Sequence, residues 1–443
     1  GRITLYLLDT DYEANQEGDR SITHNLYGGD NENRLKQEIL LGIGGIRALR
    51  TIGLDTDLYH CNEGHAAFTS VERLREYIQD ENMTFPEAME VVRGSSLFTT
   101  HTPVPAGHDS FEESLLRTYI AHYPERLQIT WNQFMNLGRF HPNQVHEKFS
   151  MSILAVKCSQ EINGVSKLHG EVSREMFTGL WPGYLTEELH IGYVTNGVHL
   201  PTWLGPEWKQ LYESTFGKDC YLRQEDREMW EKIKQVPDQD IWKLKSDERE
   251  GLINYIKGRL AEVSTRVMDN PGRMLEISTA LNPEALTIGF ARRFATYKRA
   301  HLLFRDLDRL ERIVNNPEKP VQFIFSGKAH PRDIPGQDLI KMIVEISKRP
   351  EFIGKIVFLQ NYDIQLAKRL VRGVDIWLNT PTRPLEASGT SGEKAVMNGT
   401  MHFSVLDGWW AEGYREDAGW MLPIERSFDN QELQDELDAE RLY

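Results

Sequence analysis

The stretch Ala285-Leu286-Thr287-Ile288-Gly289-Phe290-Ala291-Arg292-Arg293 decides the fold: an apolar run too short for a helix ends in a cluster of cations. The pattern then repeats. A helical period over 300–314 leads to Val321-Gln322-Phe323-Ile324-Phe325. Helical segments at 338–347 and 363–371 separate apolar runs at 355–359 and 375–378. A last helix near 393–397 leads into a run at 402–406. These runs are continuously apolar rather than alternating, which suits strands of a parallel sheet buried on both faces. Strand–helix–strand repetition at this spacing predicts a doubly wound α/β domain, in which ligands sit at the carboxyl ends of the strands.

Outward from that core the same trend continues toward the N-terminus. Candidate strands fall at 3–8, 57–60, 97–100 and 191–195, with helices at 34–49 and 66–77. A long, charged, amphipathic helix is expected over 241–270. The reading is two α/β domains packed across a cleft, 1–170 and 171–443, with the boundary somewhere in 160–280. A chain of 443 residues has ample core for this. With 40% hydrophobic and 26% charged residues it is not a disordered chain. No run approaches the ~18 apolar residues of a membrane span. Lys and Arg number 51 against 66 Asp and Glu, so the net charge of −15 argues against broad nucleic-acid binding. Three widely spaced cysteines exclude a disulfide framework or a Cys-based zinc ribbon and suit a reducing, cytoplasmic setting. The chain opens at Gly1 directly on an apolar run and ends in a helix that reads as stopped part-way, as if cut from something longer.

Each polar cluster follows an apolar run. After Leu378 comes Thr380-Pro381-Thr382-Arg383-Pro384-Leu385-Glu386-Ala387-Ser388-Gly389-Thr390-Ser391-Gly392-Glu393-Lys394, where small residues and hydroxyls lead into a helix. Free backbone N–H groups there suit an anion such as phosphate, although an ordinary Ser or Thr N-cap reads the same way. After Phe290, Arg292, Arg293, Lys298 and Arg299 crowd into eight residues, which is costly without anions to compensate them. In the first half, Asn62-Glu63-Gly64-His65 follows one strand, and His101-Thr102-Pro103 with His108-Asp109 follows another. Three His and two carboxylates invite a metal-hydrolase reading. No two of these His have i, i+4 spacing, so a hydrogen-bonding substrate pocket is preferred, with no metal. Asn196-Gly197 reads as a tight turn, and Gly42-Ile43-Gly44-Gly45 as a close-packed helix rather than a dinucleotide loop.

Taken in order, these segments resemble one family, the α-glucan (glycogen, starch, maltodextrin) phosphorylases. The resemblance rests on Arg34-Leu35-Lys36-Gln37-Glu38, Asn62-Glu63-Gly64-His65-Ala66, Thr100-His101-Thr102, Asn163-Gly164-Val165 and Thr195-Asn196-Gly197. It continues through residues 292–299, Gly327-Lys328-Ala329, Asn361-Tyr362, Glu386-Ala387-Ser388-Gly389-Thr390 through Lys394, and Asn398-Gly399. The segments at 98–109 and 405–410 look like the shorter bacterial and archaeal branch.

The resemblance implies two Rossmann-like domains facing across a cleft, the GT-B glycosyltransferase architecture. It implies retaining phosphorolysis of terminal α-1,4-linked glucose to α-glucose 1-phosphate, with pyridoxal 5'-phosphate as cofactor. By carry-over Lys394 forms the Schiff base, and Arg292, Tyr362, Gly389, Thr390 and Ser391 surround the cofactor. Arg293 and Lys298 match positions that bind substrate phosphate, and His101 a catalytic position. Asn163, Glu386, Ala387, Ser388, Gly389 and His65 match sugar-contacting positions. The partners implied are α-1,4-glucan and inorganic phosphate, without nucleic acid or membrane, and with a homo-oligomer allowed.

The departures are specific. Animal and plant members have Lys in place of Arg292, His in place of Ala295, and Asn-Met where Gly392-Glu393 stands. The family's early Gly-Gly-Leu-Gly segment and its returning C-terminal helices are not found, so this chain alone is expected to have little activity. Two alternatives stay open: a nucleotide-sugar glycosyltransferase of the same fold, such as glycogen synthase, and an inactive glucan-binding fragment.

Overall fold

The computed structural model describes residues 3–26, 29–104, 107–267, 271–423, 428 and 430–443. Pro105 and Ala106 of the His101 segment, and 268–270 at the end of the expected long helix, lie outside them. The chain divides into two compact units, residues 1–195 and 196–443.

In the first unit four parallel strands stand in the order β1 (Tyr59–Asn62), β2 (Ser96–Thr99), β5 (Glu161–Gly164) and β6 (Ile191–Tyr193). A short antiparallel pair, β3 (Ser110–Phe111) and β4 (Phe149–Ser150), lies apart from them. Phe68, Val71, Leu74, Phe98, Phe134, Phe149 and Leu154 lead one continuous core. The strand expected at 3–8 does not form: residues 4–10 are irregular, and Ile3, Leu5 and Leu7 are 90%, 80% and 81% exposed. No strand of the sheet pairs with them among the described residues, and an apolar run without a ladder cannot satisfy its backbone as a strand. Conversely β5, Glu161-Ile162-Asn163-Gly164, carries a single apolar side chain, so no apolar run marks it in the sequence.

The helix expected at 34–49 is interrupted. Two α-helices, Asn31–Ile39 and Gly45–Thr51, flank a π-turn at Leu40–Gly44. A Cβ on Gly42 would lie 2.6 Å from the Phe68 Cβ, so the glycines allow a close helix–helix approach and form no nucleotide loop.

The second unit holds six parallel strands: β7 (Leu286–Ala291), β8 (Val321–Ser326), β9 (Ile356–Leu359), β10 (Ile376–Asn379), β11 (Met401–Val405) and β12 (Gly419–Leu422). Their order, β12-β11-β10-β7-β8-β9, is that of a doubly wound sheet whose direction of growth reverses between β7 and β10. Successive strand residues bury on opposite faces. Phe323 and Phe325 join a core with Phe290, Leu310, Ile343 and Leu378, whereas Ile324, Val357 and Trp377 join one with Leu252, Ile256 and Leu370. Both faces are covered, which explains the continuously apolar runs. The period expected over 300–314 resolves into a 3₁₀ turn at Leu302–Phe304 and a helix at Leu307–Val314. Asp306 starts that helix by accepting the Arg309 N–H. The long helix runs Asp238–Val267, and none of the described helices is long and apolar enough to cross a membrane.

β7 pairs with β10 only at Ile288–Ile376 and Gly289–Trp377, so the two strands part before their carboxyl ends. The opening at this reversal is where a doubly wound sheet accepts ligands. Beneath it, the buried Lys245 Nζ donates to the carbonyls of Arg372 (2.7 Å) and Val374 (3.0 Å) and to Thr400 Oγ1 (2.9 Å). It closes the end of the helix Ile364–Gly373 against the start of β11. Lys245→Met strands these acceptors in the interior. Urea denaturation should show a loss of about 2–4 kcal/mol; an unchanged midpoint would show that the clamp carries no stability.

Candidate functional site

In the first unit the polar residues gather at the carboxyl ends of β1, β2 and β5. Glu63 follows β1 with φ of 67° and is buried, so its carboxylate points back across the strand ends. It accepts the backbone N–H of His101 (3.0 Å) and the hydroxyls of Thr100 (3.2 Å) and Thr102 (2.9 Å). The His101 ring meets Asn62 Oδ1 at 2.7 Å, and burial lowers its pKa, favouring the neutral ring. Asn163, at the end of β5, accepts from the Thr99 hydroxyl at 2.8 Å and donates to the Gly164 carbonyl at 3.0 Å.

His65 belongs to a second group. Its Nδ1 lies 3.2 Å from Asp109, and the Arg34 guanidinium donates to Asp109 at 2.8 Å and stands 3.0 Å from Glu38. Ligating atoms of Glu38, His65 and Asp109 come within 4.8 Å of one another. Arg34 already supplies a cation there, which disfavours a metal. Burial and the Asp109 charge push Glu38 up to about 9, leaving it protonated. Burial opposes ionisation of Asp109 too, but His65 and Arg34 outweigh it. The cluster sets two carboxyls, pushed in opposite directions, beside one guanidinium.

In the second unit the loops after β7 and β10 meet. Arg292 follows β7, and Lys298 lies in the 3₁₀ turn Thr296–Lys298. Both reach Glu386, in the loop after β10: Arg292 Nη2 at 2.5 Å, Lys298 Nζ at 2.7 and 2.8 Å from its two oxygens. All three side chains are 8–10% exposed. Burial opposes ionisation of Glu386, but the two cations hold its carboxyl well below the usual range. Burial and the Arg292 charge lower Lys298 against the pull of Glu386. Among the described residues, Arg292 Nε and Nη1 and Ser388 Oγ are buried without a hydrogen-bond partner.

Gly389, with φ of 82°, turns the loop into the helix Thr390–Val396. The helix therefore starts before Gly392, and Lys394 stands on its second turn. The Lys394 ammonium makes one long bond, 3.4 Å to Thr390 Oγ1, and lies 4.3 Å over the Trp203 ring. Burial lowers its pKa, opposed by Glu393. Asn398 ties this helix down by donating to the carbonyls of Lys394 (2.8 Å) and Trp203 (3.0 Å). Ser391 accepts from the Trp377 indole at 3.1 Å. Tyr362 packs on the Trp377 side of the sheet, and burial pushes its hydroxyl up to about 12.

The structure thus gathers Arg292, Lys298 and Glu386, and sets Ser388, Gly389, Thr390, Ser391 and Lys394 on the adjoining loop and helix. Ala387 is half-buried in that loop. Arg293 points outward and is exposed. Sequence reading did not single out Trp203, His402 or Asp407. His402 is buried against Trp409 and Trp410 and stands under Gly392, where a Cβ would approach its Nε2 to 2.6 Å. Asp407 was detectable, because it ends the apolar run of β11 as Arg292 ends that of β7.

A profile of the carbohydrate phosphorylase family matches residues 54–416. The chain is 44% identical over its whole length to the maltodextrin phosphorylase of Thermococcus litoralis, of which it covers 52%. It is 42% identical, again throughout, to the glycogen phosphorylase of Mycobacterium tuberculosis, covering 52%, and 39% identical to that of Aquifex aeolicus, covering 63%. The chain therefore spans about half to two thirds of the length of these relatives.

Glu393 gives the site a testable pH signature. Burial pushes it from 4.5 up to about 7, against the pull of Lys394. The folded state then binds more protons than the unfolded one between those values, so stability falls as pH rises through that window. Glu393→Gln should raise the unfolding free energy by about 1–3 kcal/mol at pH 8, a gain that shrinks toward pH 5. A difference that stays constant between these two pH values would contradict the burial of this carboxyl.

Proposed function

The chain belongs to the carbohydrate phosphorylase family, and from that membership we propose that it is the larger part of an α-glucan phosphorylase. The complete protein removes terminal α-1,4-linked glucose from glycogen or maltodextrin by phosphorolysis, with retention, giving α-glucose 1-phosphate. The first unit, residues 1–195, carries the glucan side. The second, residues 196–443, carries the cofactor. The fold class is that of GT-B glycosyltransferases, and the complete protein is a cytoplasmic enzyme.

The observation that carries this reading is the cation pair at the strand reversal. Among the described residues, two buried N–H groups of Arg292 and the buried Ser388 hydroxyl lack a partner, and Lys298 supplies a cation at the same carboxylate. Guanidinium and hydroxyl donors suit a phosphate ester. A lysine whose pKa burial has lowered, held over an indole by a tied-down helix, suits an aldehyde. The residues present therefore fit pyridoxal 5'-phosphate. Lys394 would be its attachment point, with Arg292, Tyr362, Gly389, Thr390 and Ser391 around it. When bound, its phosphate supplies a proton donor and acceptor beside the substrate phosphate.

The remaining roles belong to the chain. Lys298 and Arg293 bind substrate phosphate and lower the cost of bringing two phosphates together. Glu386, the backbone at Ala387, Ser388 and Gly389, and Asn163, His65 and His101 hold the terminal glucose. Since Glu386 holds both Arg292 and Lys298 in this structure, substrate phosphate competes with it for the Lys298 ammonium. Glu386 is then free to accept from sugar hydroxyls, and the oppositely charged loops stay in register as ligands exchange.

Lys394 can be tested apart from activity. Borohydride reduction of the full-length protein, followed by peptide mapping, should place a pyridoxyl group on Lys394, and Lys394→Ala should lack its absorbance. A label on a different lysine would overturn the assignment. An unlabelled protein that still transfers glucose would favour the nucleotide-sugar reading.

A further inference from the structure

Asp407, just past β11, is 2% exposed, and among the described residues its carboxylate forms no ion pair, Arg383 acting on it only through its charge at a distance. Two backbone N–H groups hold it instead. Oδ2 accepts from Glu386 at 2.9 Å, and Oδ1 accepts from Gly408 at 2.8 Å. Next to them the Trp409 N–H donates to the Ser388 carbonyl at 2.8 Å. The two loops lie backbone to backbone. Gly408 has φ of 54°, and a Cβ there would fall 2.3 Å from the Ser388 oxygen and 2.9 Å from the Glu386 oxygen, so only glycine fits. Burial pushes the Asp407 carboxyl up to about 7, against the pull of those two N–H groups. A buried carboxylate without an ion pair costs stability, and the two backbone N–H bonds are what offset that cost here.

The side chain of Glu386 meets Arg292 and Lys298, and its N–H meets Asp407. We propose that Asp407 is a positioning residue for the reaction: it holds the backbone of Glu386, and so sets where the Glu386 carboxylate stands relative to Lys298 and the sugar. The proposal rests on the sugar-binding role given to Glu386 above. The chemistry is specific to a carboxylate. Both N–H groups need an acceptor, and an amide in this place turns a donor toward one of them.

The test is a double-mutant cycle in the full-length, cofactor-loaded enzyme, using wild type, E386Q, D407N and the double variant. The readouts are kcat and KM for phosphate and for a linear α-1,4-glucan, together with bound cofactor per chain. D407N should lower kcat/KM by roughly 10- to 100-fold while cofactor content is kept. The double variant should fall within about threefold of E386Q alone, because the effect of Asp407 passes through Glu386. Losses that multiply would overturn the proposal while leaving the role of Glu386 in place. E386Q with wild-type turnover would remove that role and the proposal with it. If D407N does not accumulate as folded protein, D407E enters the same cycle. It keeps the charge and shifts it by one methylene, and the same non-additivity is expected, with multiplying losses again overturning the proposal.

Discussion

One buried carboxylate between two cations organises the ligand end of the second unit. Glu386 draws together Arg292, which ends β7, and Lys298, six residues further on, across the gap where β7 and β10 part. Three charges at 8–10% exposure would be costly singly, and removing one member of such a group commonly costs several kcal/mol. The loops are also tied from behind. Arg299 donates to the carbonyls of Thr380 and Pro381 and is neutralised by Asp435 and Asp438 of the final helix. Lys298 thus stands beside a residue whose own position is fixed four times over.

The rest of the site follows from this arrangement. Asp407 holds Glu386 by its backbone, Asn398 holds the helix that carries Lys394, and His402 fills the space under Gly392. These supports are neutral or backbone-directed, which leaves the charges of Arg292, Lys298 and Lys394 as the groups available to ligands. Burial shifts each lysine in the same direction, toward the neutral form. For Lys394 that change favours attachment chemistry. For Lys298 the partner that restores the charge is an anion, Glu386 here and phosphate in the proposed reaction.

Much of the second unit was legible because its strands are buried on both faces, and continuous runs such as 321–325 have no other simple reading. The same logic failed at 3–8, where an apolar run has no neighbouring strand to pair with among the described residues, and at 300–314, where the Asp306 cap breaks one helical period in two. The clustering of Arg292 and Lys298 was visible as crowded charge. Their shared partner was not, because Glu386 is almost a hundred residues away and reaches them only through strand order. Asp407 is marked in the sequence only by its place at the end of the apolar run 402–406; its role is not, because a carboxylate that bonds only backbone N–H groups has no charge partner to point to it.

The most direct measurement is the structure of the full-length, cofactor-loaded enzyme with inorganic phosphate bound, compared with the same enzyme without phosphate. With phosphate bound, the Lys298 ammonium should leave Glu386 and contact the phosphate, with Arg293 turned inward beside it. A phosphate bound elsewhere, with the Lys298–Glu386 contact intact at its present 2.7 Å, would contradict it.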